Sequence, residues 1–313
     1  MLQFTNRELD LYLERFEREY LAETSPETRG TYRRALNTFR HWFARQKGEF
    51  RFRESDVERY RQYLTQTRRL ADVSVSTYLT ALRRFCQYLV QSGLLAENPA
   101  RRVRGNRRPS EHRRRYLEPE ELQRLLALIP DEGLMGKRDR ALVGLMAFSG
   151  MTEIEISRAL LADLERHADL WWVRTQPKGY QEKTAVVELH PRSVQLLAAF
   201  LEAWSRQQPL ELHWGLIPGL GPRNRFGPIN PRALRKRVEE YLKQADLAGP
   251  GRTPHSLVYT AVRIWLEDLL RQRGKPVPDA EVIEALKALV HRRMHHQTID
   301  TTLVYLRQIG IGI

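Results

Sequence analysis

Near its C-terminus the chain reads His296-Gln297-Thr298-Ile299-Asp300-Thr301-Thr302-Leu303-Val304-Tyr305, a histidine followed nine positions later by a tyrosine with two threonines between. A tyrosine in an apolar helix is core more often than reactive. His291, His295 and His296 crowd together just upstream, but no carboxylate or cysteine is spaced to complete a ligand set, so no metal is expected. Moving back along the chain, helical patterns cover Asp279 to Arg293, Leu257 to Arg271, Pro231 to Gln244 and Arg192 to Ser205. Before them, Leu170 to Val173 and Thr184 to Leu189 read as two strands around the polar turn Gln176-Pro177-Lys178-Gly179-Tyr180-Gln181-Glu182. Further upstream, Leu117 to Leu122 enters a helix, and Arg138-Asp139-Arg140-Ala141 precedes an apolar one running through Phe148.

The first hundred residues read as a bundle of amphipathic helices. Thr5-x-x-Glu8 is a capping box ahead of Leu9, Tyr12, Leu13, Phe16 and Tyr20, and Ser25-Pro26 opens a second helix with Tyr32, Ala35, Leu36, Phe39 and Phe43 inside. Ser55-x-x-Glu58 is expected to start a third. Ser74 is expected to cap a fourth, which buries Val75 through Val90 before Gly93 and places Cys86 in the core. Outside the stripes stand Arg29, Arg33, Arg34 and Arg40 on the second helix and Thr77, Thr80, Arg83, Arg84 and Gln87 on the fourth. Such a face is usually just solvated, but polar groups between arginines also suit a DNA groove. Residues 101 to 115 hold eight arginines opposed only by Glu111, half of the chain's net charge of +14. With Gly105, Asn106, Pro109 and Ser110 among them, they read as an extended basic linker. The expected organisation is a helical domain at 1–104, the linker at 105–115 and a second domain at 116–313.

A pI near 10.1 and that excess charge favour a phosphate polymer or an anionic surface. Most of the charge is arginine, which a GC-rich genome explains as well as selection for phosphate binding does. A charged content of 29% and the lack of a long apolar run exclude a membrane-spanning reading, and the first residues lack a signal-peptide pattern. A soluble, cytoplasmic protein is expected. One cysteine rules out an internal disulfide framework. Neither a Walker loop nor a dinucleotide fingerprint is found.

Over nearly its whole length the chain resembles the tyrosine recombinases of phage-integrase and Xer type. The carriers are Thr31-Tyr32-Arg33-Arg34, Thr77-Tyr78-Leu79-Thr80-Ala81-Leu82-Arg83-Arg84-Phe85 and Asn98-Pro99 in the first part. In the second they are Pro177-Lys178-Gly179, Thr253-Pro254-His255-Ser256-Leu257 and the stretch ending at Tyr305. The resemblance implies a mainly helical fold: an N-terminal SAM-like core-binding domain, then a catalytic-type domain with a small antiparallel sheet. It also implies a clamp around duplex DNA and cofactor-free strand exchange. Tyr305 would be the nucleophile forming a 3′-phosphotyrosyl bond, Lys178 the hairpin lysine, and His255 and His296 the phosphate-holding histidines. His295 stands where the family has a glycine. DNA contacts are expected from Arg29, Arg33, Arg34, Arg83, Arg84, Gln87, Arg113, Arg114 and Arg115.

Two motif positions depart from the family. Ser149-Gly150-Met151-Thr152-Glu153-Ile154-Glu155, with Asp163 in register, puts Thr152 where the first catalytic arginine belongs, and His255-Ser256-Leu257-Val258-Tyr259-Thr260 puts Val258 at the second. An arginine on a phosphoryl transition state is worth roughly 10³ to 10⁵ in rate. The expected function is therefore a catalytically degenerate, duplex DNA-binding architectural or regulatory module. The alternative is an active site-specific recombinase or integrase whose clamp is rebuilt from Arg158, Arg263, Arg292 or Arg293. Expected partners are double-stranded DNA, further copies joined through the apolar tail Ile309 to Ile313, and a catalytically complete recombinase alongside.

Overall fold

The computed structural model describes residues 4–46, 51–105, 116–177, 180, 182–222, 224–249 and 251–312. The chain divides into two compact units, Met1–Glu111 and His112–Ile313. The first holds α1 (Asn6–Glu19), α2 (Pro26–Ala44), α3 (Glu54–Gln62), which runs on into a π-helical turn at Tyr63–Thr67, and α4 (Asp72–Gln91). The Thr5–Glu8 capping box forms as its sequence demands, and Ser25 accepts from the Thr28 amide at the start of α2.

The third and fourth helices begin earlier than Ser55 and Ser74. Buried Asp56 gathers the amides of Arg51 at 2.9 Å and Arg53 at 3.1 Å, so α3 is capped from its first turn and Ser55 lies inside it. α4 follows Ala71 without a side-chain cap, and Asp72 in its first turn meets the positive end of the helix dipole. Phe16, Phe39, Tyr60, Leu79, Leu82, Phe85 and Cys86 are fully buried between these helices.

The second unit contains α5 (Pro119–Leu128), α6 (Gly133–Ala147), α7 (Glu153–Arg158), β1 (Leu164–His167), β2 (Leu170–Thr175) and β3 (Ala185–Glu188). There follow α8 (Pro191–Ser205), α9 (Pro231–Gln244), α10 (His255–Gln272), α11 (Ala280–Arg293) and α12 (Ile299–Gln308). The strands form an antiparallel meander in the order β1-β2-β3, with Leu164 opposite Val173 and Val173 opposite Val187. β1 adds a strand to the two expected. Its Leu164-Glu165-Arg166-His167 carries a single apolar residue, too little for alternation to show.

α6 starts at Gly133 and includes the Arg138-Asp139-Arg140 triplet expected to precede it. Asp139, fully buried, accepts from Arg138 at 2.8 Å and 2.6 Å and from the Tyr241 hydroxyl of α9 at 2.7 Å, so Arg138 and Asp139 form a hydrogen-bonded interior pair. α6 packs against α8 and α10 in the main core of the unit. A smaller core joins α10, α11 and α12, and the tail folds back onto it. Ile309 and Ile311 are 3% and 7% exposed against a cluster that includes Trp265, Leu286 and Leu306. The expectation that the tail isoleucines lie exposed on a single copy is thus corrected for these two, because their own unit covers them; Ile313 lies outside the described residues. Among the described residues no helix is long and apolar enough to cross a membrane.

Candidate active site

Tyr305 sits one turn from the end of α12, half-buried, with its hydroxyl 2.9 Å from Nε2 of His255, the first residue of α10. Three rings surround the phenol. His255 meets it edge-on at a centroid distance of 5.9 Å, Tyr259 lies 4.8 Å away and His296 4.7 Å away. Tyr259, one turn after His255, was not singled out from sequence, although its spacing puts both rings on one helix face. A neutral His255 can take the phenol proton, so this pair can generate a phenolate nucleophile.

His296 is held at the junction of α11 and α12. Burial, with His291 and His295 nearby, holds its imidazole down at about 4, so it is neutral at ordinary pH. The preceding residue, His295, has φ of 49°, a left-handed conformation that explains why a glycine suits this position. Burial lowers the pKa of His295 as well, and its Nε2 is buried without a partner among the described residues. Gly150 makes a related demand, with φ of 71° and a site where a Cβ would lie 2.7 Å from the Met294 methyl and 2.9 Å from the Trp265 ring. The turn before α7 is thereby pressed against α10 and the end of α11, the elements that carry His255 and His296.

The two positions expected to depart from the family both serve the fold. Thr152 is the N-cap of α7. Its hydroxyl bonds Glu155 Oε2 at 2.7 Å, its amide donates to the same oxygen at 2.8 Å, and the Glu155 amide points back to it. Burial pushes the Glu155 carboxyl up against these bonds. Val258 is fully buried in the main core of the unit. Threonine offers one neutral hydroxyl, already used, and valine offers nothing to an oxyanion.

Three of the four candidate replacement arginines have other partners. Arg158 donates to the carbonyls of Gln176 and Pro177, both at 3.3 Å, and so anchors the end of β2. Arg263 bonds Glu267 at 3.0 Å and stacks over Tyr116, while Arg293 bonds Glu188 at 2.8 Å and stacks over Trp265. Arg292 is exposed. Lys178 lies outside the described residues, as do Arg113, Arg114 and Arg115. Asp163 binds the Leu160 amide at 2.7 Å and pairs with Lys183.

In the first unit the arginines divide into two kinds. Arg29 donates to the carbonyls of Leu21, Ala22 and Thr24 after α1, Arg33 pairs with Glu17, and Arg83 holds the carbonyls of Ala100 and Val103. Arg84 and Arg34 are exposed, Arg34 with only a 3.4 Å contact to Thr31, and Gln87 is exposed with Asn98 at 3.3 Å.

Residues 13–93 match the family model described as phage integrase, N-terminal SAM-like domain. A tyrosine recombinase XerC of Chlamydia trachomatis is 29% identical over 236 residues, 74% of this chain and 66% of that protein. One from Chlamydia pneumoniae is 28% identical over 303 residues, 95% and 84% of the two chains. The chain is similar to tyrosine recombinases along most of its length. The alignment with the C. trachomatis relative spans less than two thirds of that protein's length. The fold is shared with solved structures at low identity. A lambda integrase dimer bound to a COC′ core site superposes with a TM-score of 0.69 at 12% identity, over 99% of this chain and 79% of that one. XerH site-specific recombinase bound to palindromic difH superposes with a TM-score of 0.64 at 18% identity, over 90% and 76%.

Proposed function

We propose that this tyrosine recombinase relative binds specific duplex DNA as an architectural or regulatory module and does not carry out phosphotyrosyl strand exchange at the pace of an arginine-clamped site. The observation that carries the reading is the state of the two clamp positions: Thr152 is committed to a helix cap and Val258 is sealed in the core. The nucleophile pair Tyr305–His255 is assembled, but a phosphorane forming beside it would lack two guanidiniums. Losing even one preorganised donor typically costs roughly 10² to 10³ in rate. DNA binding is supported by the +14 net charge, by the basic stretch at 101–115, and by relatives whose structures are described as DNA-bound. In the first unit Arg34, Arg84 and Gln87 are the side chains placed to meet DNA, whereas Arg29 and Arg83 serve the fold. Assembly of copies through the tail would require Ile309 and Ile311 to leave their own core, at about 1.5–3 kcal/mol of apolar burial each. In this reading tail release and assembly on DNA are one event.

The test is covalent trapping. The duplex sequence selected by the protein is rebuilt with a nick beside each candidate scissile phosphate and incubated with the protein or with Tyr305→Phe. The expected result is sequence-specific binding that denaturant fully reverses in both. A denaturant-stable adduct that disappears in Tyr305→Phe overturns the degenerate reading and directs attention to Arg158.

A further inference from the structure

Thr302 lies on α12 one turn before Tyr305 and is fully buried. Its hydroxyl oxygen is 3.0 Å from Nδ1 of His296 and 3.1 Å from Nδ1 of His291. A hydroxyl has one proton. It can donate to one of these nitrogens, and the other must then donate to it. The two rings are coupled when Thr302 donates to one of them: with a proton on Nδ1 of His291 and the Thr302 hydroxyl turned toward His296, the proton of a neutral His296 must sit on Nε2. The reverse arrangement puts the His296 proton on Nδ1 and leaves Nε2 as a bare acceptor.

We infer that Thr302 is a positioning residue that receives the Nδ1–H of His291 and donates to Nδ1 of His296, fixing His296 as the Nε2–H tautomer beside Tyr305. One observation bears on this direction. His296 is buried against the Tyr305 ring and stays neutral, so it carries a single ring proton, and an Nδ1 that accepts from Thr302 leaves Nε2 as its donor. Of the titratable groups, His291 and His295 act on His296. The functional consequence concerns the anion. Nε2–H is a hydrogen-bond donor toward a phosphate oxygen, while the opposite tautomer would turn a lone pair toward it. In a site without its two arginines, His296 supplies a donor only if this relay holds its tautomer.

The inference rests on the assignment of His296 to the proposed site, but its test uses the unliganded protein and needs neither DNA nor cleavage. Long-range proton–nitrogen NMR spectra of the full chain, labelled at histidine, distinguish pyrrole-type from pyridine-type ring nitrogens. Near neutral pH, His296 is expected to show a pyrrole-type Nε2 and a pyridine-type Nδ1. Thr302→Val keeps the shape and removes the hydroxyl, and should move both His296 nitrogens toward tautomer-averaged shifts. Thr302→Ser should restore the native pattern, which a merely space-filling role would not require. His291→Ala, at a half-buried position, removes the upstream donor without disturbing the buried threonine, and should give averaging of the same kind. A native His296 protonated on Nδ1 would overturn the inference, as would a His296 pattern unchanged in both His291→Ala and Thr302→Val. Trapping experiments bear on the proposed function and leave this result untouched.

Discussion

Returning the two guanidiniums, Thr152→Arg with Val258→Arg, tests the functional reading at its source. Thr152→Arg removes a side-chain cap worth about 1 kcal/mol, although the backbone amide of residue 152 can still donate to Glu155. Val258 is fully buried three positions after His255, so an arginine there overpacks the core by roughly 1–3 kcal/mol before its head group follows the His255 face toward Tyr305. The folding loss of roughly 2–4 kcal/mol is tolerable against a stability of roughly 5–15 kcal/mol. The gain is larger: an arginine on a phosphoryl transition state is worth roughly 10³ to 10⁵ in rate, or about 4–7 kcal/mol. Strong non-additivity is expected, with each single variant far below the pair. The assay is adduct formation on the nicked duplex, with circular dichroism and DNA binding as controls for folding. A double variant that is folded and binds DNA yet gains less than about tenfold would refute the claim that these two positions are what the site lacks.

Three further outcomes follow from the same coordinates. Ile309→Ala and Ile311→Ala should each lower stability in urea unfolding by about 2–5 kcal/mol, since both side chains are core, and unchanged midpoints would mean the tail is not packed. Arg29→Ala should destabilise by about 1–3 kcal/mol by freeing carbonyls after α1, whereas Arg84→Ala should stay within about 0.5 kcal/mol yet weaken DNA binding; equal stability losses would break the division between the two kinds of arginine. Stability should also fall with acidification. An unfolded histidine titrates near 6.5 and folded His296 at about 4, so between those values the unfolded chain binds more protons, and burial shifts His190 and His295 the same way. His296→Gln should flatten the decline in urea midpoint between pH 7 and pH 5, and an undiminished slope would refute that assignment.

The sequence was most legible where chemistry and periodicity coincide. The Thr5–Glu8 box and the core position of Cys86 each depend on residues whose spacing has one physical use, whereas His255 and Tyr305, which the structure brings into contact, are named together only through the family resemblance. It was least legible where tertiary partners decide. Arg29, Arg33 and Arg83 looked like solvated or DNA-facing cations, and only the three-dimensional path of the chain brings Leu21, Glu17 and Ala100 to them. The Arg138-Asp139-Arg140 triplet read as preceding its helix because Tyr241, the partner of Asp139, lies a hundred residues away. The tail isoleucines looked exposed because the fold-back onto α10 and α11 leaves no local signature. Likewise a threonine between two histidines reads only as hydrophilic until both Nδ1 atoms fall within 3.1 Å of one hydroxyl.

The two replacements also change what the site costs the protein when no DNA is present. Two guanidiniums facing one pocket repel each other and must be held partly out of water, a strain that a bound phosphate relieves and an empty site does not. Here one position ties down an orphan amide of α7 and the other fills the main core, so both contribute to stability whether or not DNA is bound. Stability gained at a site commonly comes at the expense of chemistry there. The rings of His255, Tyr259 and His296 pack on the phenol, and burial holds His296 neutral. The proposed binding role fits this arrangement, because Thr152 and Val258 serve the fold whether or not a phosphate is present, while the rings stay packed on Tyr305.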